Sequence, residues 1–128
     1  MLGEEVRGRG KDVSLAPGIN LRRGPLCGRN FEYFSEDPCL TANLAVPLIQ
    51  GIQENDVASC VKHFALNQQE TERLWVNVEC SDRALDQYLY AFHAACTGST
   101  VAETAQLTSE QIPCRMHREH CLSRRAEH

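Results

Sequence analysis

The sequence contains no long apolar run. None of its 128 residues belongs to a stretch approaching ~18 consecutive apolar residues, the length that a helix needs to cross a bilayer. The charged, glycine-containing N-terminus (1–11) also lacks the apolar segment of a secretory signal. We therefore expect no membrane partner. The compartment stays open, with the cytoplasm slightly favoured.

Clustered positive charge is lacking as well. The chain has 13 Lys and Arg against 17 Asp and Glu, a net charge of −4, and no basic cluster occurs before residue 97. Binding to nucleic acid or to an anionic membrane normally relies on clustered Lys and Arg side chains that replace counterions. The charge pattern therefore predicts no nucleic-acid partner.

Cysteine is present but forms no scaffold pattern. Seven cysteines are an odd number, and their spacing is irregular, which indicates reduced or incidental thiols. Near the C-terminus, Cys114, His117, His120 and Cys121 are of zinc-ligand type. Their contiguous spacing lacks the separated pairs of a zinc finger, so we expect neither a metal nor a cofactor.

The composition changes once, near Cys96. The segment 97–128 is neutral overall, contains no aromatic residue and shows no sustained periodicity. We interpret residues 1–96 as one structured unit and 97–128 as a weakly structured tail. A chain of this length accommodates a single domain at most.

The first half of the structured unit predicts a strand followed by a helix. Residues 12–15 are β-prone and end in an Ala-Pro-Gly turn signal. A long loop then leads to Asp37 and Pro38, which suit a helix N-cap and the first helical position. We expect this helix to extend to about Asn55.

The apolar face of that helix is expected to contain Leu44, Leu48 and Ile52, which recur every four residues. Pro47 lies within the same span. Proline removes a backbone hydrogen bond and clashes with the preceding turn, so we expect a kink or a restart there.

The second half repeats the order of strand, loop and helix. Residues 58–64 predict a buried strand, residues 67–73 a polar loop, and Ser81 the N-cap of a second helix. The apolar stripe of this helix consists of Leu85, Tyr88, Leu89 and Phe92. Two successive units of this kind are typical of a parallel sheet in an α/β fold.

Chemistry-bearing residues follow each predicted strand. In parallel α/β folds the functional site forms at the carboxyl ends of the strands, which here means the loops 20–38 and 62–73. These loops combine guanidinium, ammonium, imidazole, amide and carboxylate groups with aromatic rings. That mixture of hydrogen-bond donors and acceptors suits a polyhydroxylated ligand such as a sugar.

Four motifs make this pattern specific: LAPGIN at 15–20, GRNFEYFSEDP at 28–38, VKHFALNQQETER at 61–73 and SDRALDQYLYAFHAA at 81–95. Together they closely resemble the N-terminal barrel domain of glycoside hydrolase family 3, the β-glucosidase group, over residues 2–95. The family's typical asparagine pair appears here as Asn67 and Gln68. The resemblance implies a partial (β/α)8 barrel of the TIM type, with about two βα units.

The resemblance also implies roles for particular residues. Arg29, Lys62 and His63 match positions that hydrogen-bond the hydroxyls of the non-reducing-end sugar, and Glu70 and Arg73 match a supporting shell. The implied partner is a β-glucoside or an oligosaccharide.

Simpler interpretations of these residues stay open. Arg29 could form a loop salt bridge with Glu32 or Glu36. Lys62 and His63 are consecutive in a predicted strand, so their side chains should point to opposite faces. Both reach one ligand only if the backbone bends there.

The catalytic pair that the family implies is missing from the sequence. A retaining glycosidase needs two carboxyl groups about 5 to 5.5 Å apart, and in this family the nucleophile is an Asp in a Ser-Asp-Trp type motif. Ser81 and Asp82 are followed by Arg83, and Asp82 suits a charge at a helix N-terminus. Glu36 and Asp37 likewise precede a helix, and we assign Trp75 no catalytic role. We therefore predict no catalytic residue.

Length leads to the same interpretation. A complete barrel of eight βα units takes ~250 residues. We expect a truncated β-glucosidase-like hydrolase that is inactive alone, with a tail from a shifted frame, an intron or a different exon. The alternative is a non-catalytic sugar-binding or interaction protein.

Overall fold

The structure is a computed structural model that describes residues 1–98. Its elements, in chain order, are α1 (Leu2–Gly8), β1 (Val13–Ser14), a 3-10 turn (Asn30–Glu32), α2 (Pro38–Gln53), β2 (Ala58–Ser59) and α3 (Asp82–Gly98). The predicted order of strand, helix, strand and helix is confirmed. Helix α1, which the sequence analysis did not anticipate, packs against α2.

The two strands are parallel neighbours, as expected. Val13 is paired with Ala58 and Ser14 with Ser59. Both strands are shorter than predicted, but the pairing continues beyond them through a parallel bridge between Gly18 and Lys62. The segment after β1 and the segment after β2 therefore run side by side.

Helix α2 begins as its sequence predicts. The Asp37 carboxylate accepts a hydrogen bond of 2.8 Å from the backbone N–H of Cys39, and Pro38 is the first helical residue. The helix then continues through Pro47 without a restart, so that part of the expectation was wrong. Pro47 is exposed, and its ring therefore lies away from the packed face.

The buried face of α2 also differs from the predicted one. Leu44 is 45% exposed and Leu48 is half-buried, whereas Ile49 and Ile52 are fully buried. Thr41, Ala42 and Ala45 complete the buried face. Small side chains at these positions allow helix α3 to approach closely, and that packing decides which side of α2 faces the core.

Helix α3 closes the core from the other side. Ser81 caps it, with the Ser81 Oγ 3.4 Å from the backbone N–H of Ala84. Tyr88 and Phe92 are buried as predicted, and Leu85 and Leu89 are half-buried. The core shared by both helices and the segments that follow the strands comprises Ile19, Ala42, Ala45, Ile49, Val61, Ala65, Ala91, Phe92 and Ala95.

Other expectations concern membranes, metals and thiols. Within residues 1–98, no helix is long and apolar enough to cross a membrane. The same residues contain no group of three or more His, Cys, Asp or Glu side chains placed to hold a metal ion. Cys27, Cys39, Cys60 and Cys80 are free thiols. The Cys114–Cys121 cluster and most of the predicted tail lie outside the described residues.

Candidate functional site

The candidate site forms where the segments after β1 and β2 run side by side. The backbone N–H of Lys62 donates to the carbonyl of Pro17 at 3.0 Å, and the N–H of Ile19 donates to the carbonyl of Lys62 at 2.7 Å. The peptide bond between Lys62 and His63 is cis. This pairing brings the two loops that the sequence singled out to the same end of the parallel strands.

Asn20 links these two segments through hydrogen bonds. Its fully buried side-chain amide donates to the carbonyls of His63, at 2.9 Å, and of Ala65, at 2.8 Å. Its Oδ1 accepts a hydrogen bond of 2.6 Å from the backbone N–H of His63. One side chain therefore satisfies three backbone groups, two on His63 and one on Ala65.

Glu32 lies at the centre of the candidate site. Its Oε2 is 2.9 Å from the Lys62 Nζ, and its Oε1 accepts a hydrogen bond from the Arg29 Nε. The same Oε1 is 3.4 Å from the Nε2 of His63. All four side chains are mostly buried, with exposed fractions between 16 and 24%. Three basic side chains therefore converge on one carboxylate; we call these four residues the Glu32 cluster.

The electrostatics of the Glu32 cluster follow from this geometry. Burial by itself would raise the pKa of Glu32, but hydrogen bonds from Lys62 and Arg29 outweigh it and lower the pKa to about 2. Burial and the nearby Arg29 charge lower the pKa of His63, against the opposing effect of Glu32. Near neutral pH the cluster therefore consists of two cations, one carboxylate and a neutral imidazole.

The lowered pKa of Glu32 predicts a loss of stability in acid. Because the folded state holds this carboxylate ionised, its contribution is complete above pH ~4.5 and is lost as the pH falls towards about 2. Acid unfolding followed by circular dichroism should show this fall. Glu32→Gln should remove that part of the pH dependence, and an unchanged acid profile in the variant would contradict the assignment.

The open interpretations of Arg29, Lys62 and His63 can now be compared with the geometry. Arg29 does form the loop salt bridge, with Glu32. That contact uses only its Nε. Lys62 and His63 do not alternate across a regular strand, since β2 ends at Ser59 and both side chains reach Glu32. The structure therefore brings all three predicted sugar-contact residues together.

The predicted supporting residues lie next to this cluster. Arg73 Nη1 is 3.3 Å from Glu70 Oε2, and Glu70 Oε1 accepts a hydrogen bond of 2.8 Å from Asn67 Nδ2. Gln68 joins the two loops, because its Nε2 donates to the carbonyl of Leu21 at 2.6 Å and its Oε1 accepts from the N–H of Gly24 at 3.1 Å. Asn67 and Gln68, where the sequence departs from the family's asparagine pair, thus both have partners.

Sequence reasoning missed the importance of Glu32, Tyr33 and Asn20. Glu32 was considered only as an alternative partner of Arg29. Tyr33 is almost fully buried beside His63, with ring centroids 6.1 Å apart in an edge-on arrangement. A Cβ at Gly18 would lie 3.1 Å from the Tyr33 ring, so a larger residue there would require the ring to shift by a few tenths of an ångström. The glycine within LAPGIN was the one local signal of such a close approach.

Comparison with known proteins agrees with these motifs. Residues 1–112 match the family described as the glycosyl hydrolase family 3 N terminal domain. A β-glucosidase of Bacteroides ovatus, BoGH3A, is 60% identical over 95 residues, which cover 73% of this chain and 13% of the relative. Thermostable β-glucosidase B of Acetivibrio thermocellus is 48% identical over 90 residues, covering 70% and 12% respectively.

Solved structures give the same match in three dimensions. β-Glucosidase 3B of Thermotoga neapolitana in complex with glucose superposes with a TM-score of 0.73 at 51% identity, covering 76% of this chain and 14% of that one. The complex of the same enzyme with glycerol gives a TM-score of 0.74 at 50% identity, covering 77% and 14%. The chain thus spans 12 to 14% of the length of these relatives.

Proposed function

The chain belongs to glycosyl hydrolase family 3, as a match to its N-terminal domain, and from this premise we propose that it supplies the sugar-contact residues of a β-glucosidase-type site. The reaction of such a site is hydrolysis of terminal, non-reducing β-D-glucosyl residues. Arg29, Lys62 and His63 bind the sugar hydroxyls, and Glu70 and Arg73 support them.

The convergence of the three basic side chains on Glu32 carries this proposal. The Arg29 guanidinium uses only its Nε in the cluster, and the Lys62 ammonium uses one of its three hydrogens. The other N–H groups of Arg29 and the other two ammonium hydrogens of Lys62 are not used in the contact with Glu32. The free N–H groups therefore provide several donors within a small, mostly buried region, which suits the oxygens of a polyhydroxylated ligand.

The titration state of Glu32 argues against a catalytic role for this carboxyl group. A general acid needs a pKa near the working pH, and a pKa of about 2 keeps Glu32 ionised. Both of its oxygens are already bound to cationic or imidazole groups, which makes it a poor nucleophile. We assign Glu32 no part in bond cleavage.

Hydrolysis by this chain alone is not expected. The sequence contains no Ser-Asp-Trp motif, and its single Trp, Trp75, follows a leucine. Asp82 is the first residue of helix α3 and is exposed, as are its neighbours Ser81 and Arg83. The proposal therefore assigns sugar contact to these 128 residues and bond cleavage to carboxyl groups that they do not contain.

We further propose that the parallel strands and their helices correspond to about two βα units of an eight-unit barrel. Helix α2 connects β1 to the neighbouring parallel strand β2, and α3 packs beside α2. This is the repeating connection of such barrels. We keep the proposed division of the chain at residue 96. The described part of α3 extends to Gly98, and the family match continues to residue 112.

Sugar binding by the 128-residue chain tests the proposed site. Methyl β-D-glucoside should shift the NMR signals of Lys62 and His63. Lys62→Ala and Arg29→Ala should each remove one or two charge-assisted hydrogen bonds, about 1.5 to 3 kcal/mol, and so weaken binding roughly 10- to 150-fold.

Matched controls come from the same chain. Lys11→Ala and Arg22→Ala make the same charge changes at exposed positions and should leave binding unchanged. Equal binding by the site variants and by these controls would refute the proposed contacts. Turnover of an aryl β-glucoside by the chain would contradict the separation of binding from cleavage.

A further inference from the structure

The Glu32 cluster joins side chains from two separate parts of the chain. Arg29 and Glu32 belong to the loop after β1, whereas Lys62 and His63 follow β2. The carboxylate Oε2 faces Lys62, and the Oε1 faces both Arg29 and His63. Glu32 forms an ion pair with both Arg29 and Lys62, so one carboxylate links the two cations.

We propose that Glu32 is a positioning residue, whose carboxylate holds Arg29, Lys62 and His63 in the arrangement in which they contact a neutral sugar. This inference rests on the proposed function and adds to it a residue that does not itself act in bond cleavage. It also explains how two long cationic side chains can lie close together.

The like charges of Arg29 and Lys62 require an anion between them. Arg29 and Lys62 carry like charges, and in a partly buried region their repulsion is poorly screened. Both side chains also have many rotamers, which they would populate if nothing restrained them. The carboxylate between them offsets the repulsion and selects one rotamer for each side chain.

The position of Glu32 is itself restrained. The next residue, Tyr33, is almost fully buried, and its ring lies against His63. The backbone N–H of Glu32 donates to the carbonyl of Arg29 at 3.2 Å within the 3-10 turn. The carboxylate therefore projects from a fixed point towards the segment after β2, as a positioning role demands.

A purely structural ion pair would stabilise the chain without affecting sugar binding. Two results are expected, of which the first tests the geometry of the cluster and the second tests the positioning role. First, removing the carboxylate should lower the pKa of His63, because Arg29 and Lys62 remain beside the ring while the only anion in contact with it is gone. Second, sugar binding should weaken although Arg29, Lys62 and His63 are all still present.

The experiment uses the 128-residue chain and three variants. Glu32→Gln removes the charge at nearly constant shape, Glu32→Asp retains the charge on a shorter side chain, and Glu36→Gln makes the same charge change at an exposed position of the same loop. NMR titration follows the His63 ring, assigned with His63→Gln. A second titration measures the affinity for methyl β-D-glucoside.

Glu32→Gln should lower the pKa of His63 and weaken glucoside binding at least tenfold, Glu32→Asp should recover part of both, and Glu36→Gln should match the unsubstituted chain. An unchanged His63 pKa in Glu32→Gln overturns the inference, as does unchanged glucoside affinity. If Glu32→Gln loses the helical circular dichroism signal, the inference is tested with Glu32→Asp. A His63 pKa and a glucoside affinity in Glu32→Asp that both equal those of the unsubstituted chain overturn the inference.

The two proposals fail in different ways. If the unsubstituted chain binds no glucoside, the proposed sugar contacts fail, and the His63 titration still tests the arrangement of the Glu32 cluster. If the chain binds glucoside but Glu32→Gln binds it equally well, the sugar contacts stand and the positioning role fails.

Discussion

Asn20→Ala should lower the free energy of unfolding by about 3 to 5 kcal/mol, a large share of the stability of a small domain. The substitution leaves three backbone groups without their partner: the N–H and the carbonyl of His63 and the carbonyl of Ala65. Each unsatisfied buried group costs about 1 to 3 kcal/mol, partly relieved where water can enter. Chemical denaturation followed by circular dichroism measures the change.

Two further variants separate the hydrogen bonds of Asn20 from its volume. Asn20→Asp is nearly isosteric, but it replaces the donating amide with an oxygen that faces two carbonyls, so it should destabilise the chain as well. Asn43→Ala is the control, because Asn43 is exposed and its side-chain amide donates a weak hydrogen bond to the Cys39 sulfur, at 3.7 Å. A loss at Asn20 no larger than that at Asn43 would show that the amide does not hold the two segments together.

Ile49→Ala should destabilise the chain by about 2 to 5 kcal/mol, because it removes a fully buried side chain from the core and leaves a cavity. Leu44→Ala, on the same helix, should change stability by no more than about 0.5 kcal/mol, since Leu44 is 45% exposed. Thermal or urea unfolding of both variants compares the two positions directly.

The same pair of variants tests which face of α2 is buried. The four-residue spacing of Leu44, Leu48 and Ile52 predicted one face, whereas the structure buries Ala45 and Ile49 together with Ile52, the one residue common to both. Equal losses at Leu44 and Ile49, or a larger loss at Leu44, would support the face that the spacing predicted.

The sequence predicted those features of the fold that depend on interactions between residues close together in the chain. Asp37 caps α2 by accepting a hydrogen bond from the N–H of a residue two positions away. Pro38 suits the first helical position because that position needs no N–H donor. The stripe of Tyr88 and Phe92 on α3 follows from four-residue spacing. These interactions lie within one turn of chain, so the sequence displays them directly.

The candidate site was only partly predictable for the opposite reason. The motifs around Arg29, Lys62 and His63 marked two loops that the structure brings together, and the resemblance to a known family supplied the roles expected of these residues. Nothing local marked Asn20, whose partners lie 43 and 45 positions further along the chain. Glu32 is separated from Lys62 by a helix and a strand, so its central position could not be read from spacing.

The sequence alone determined the order of the two strands and of helices α2 and α3, the start of α2 and the two loops that converge on Glu32, because capping, periodicity and turn residues act over a few positions. Tertiary packing alone decided which face of α2 is buried, since the small side chains of Ala42 and Ala45 matter only once α3 lies against them. It also decided that one carboxylate would receive three basic side chains. Burial and charge neutralisation depend on neighbours distant in the chain, and only the folded molecule brings those neighbours together.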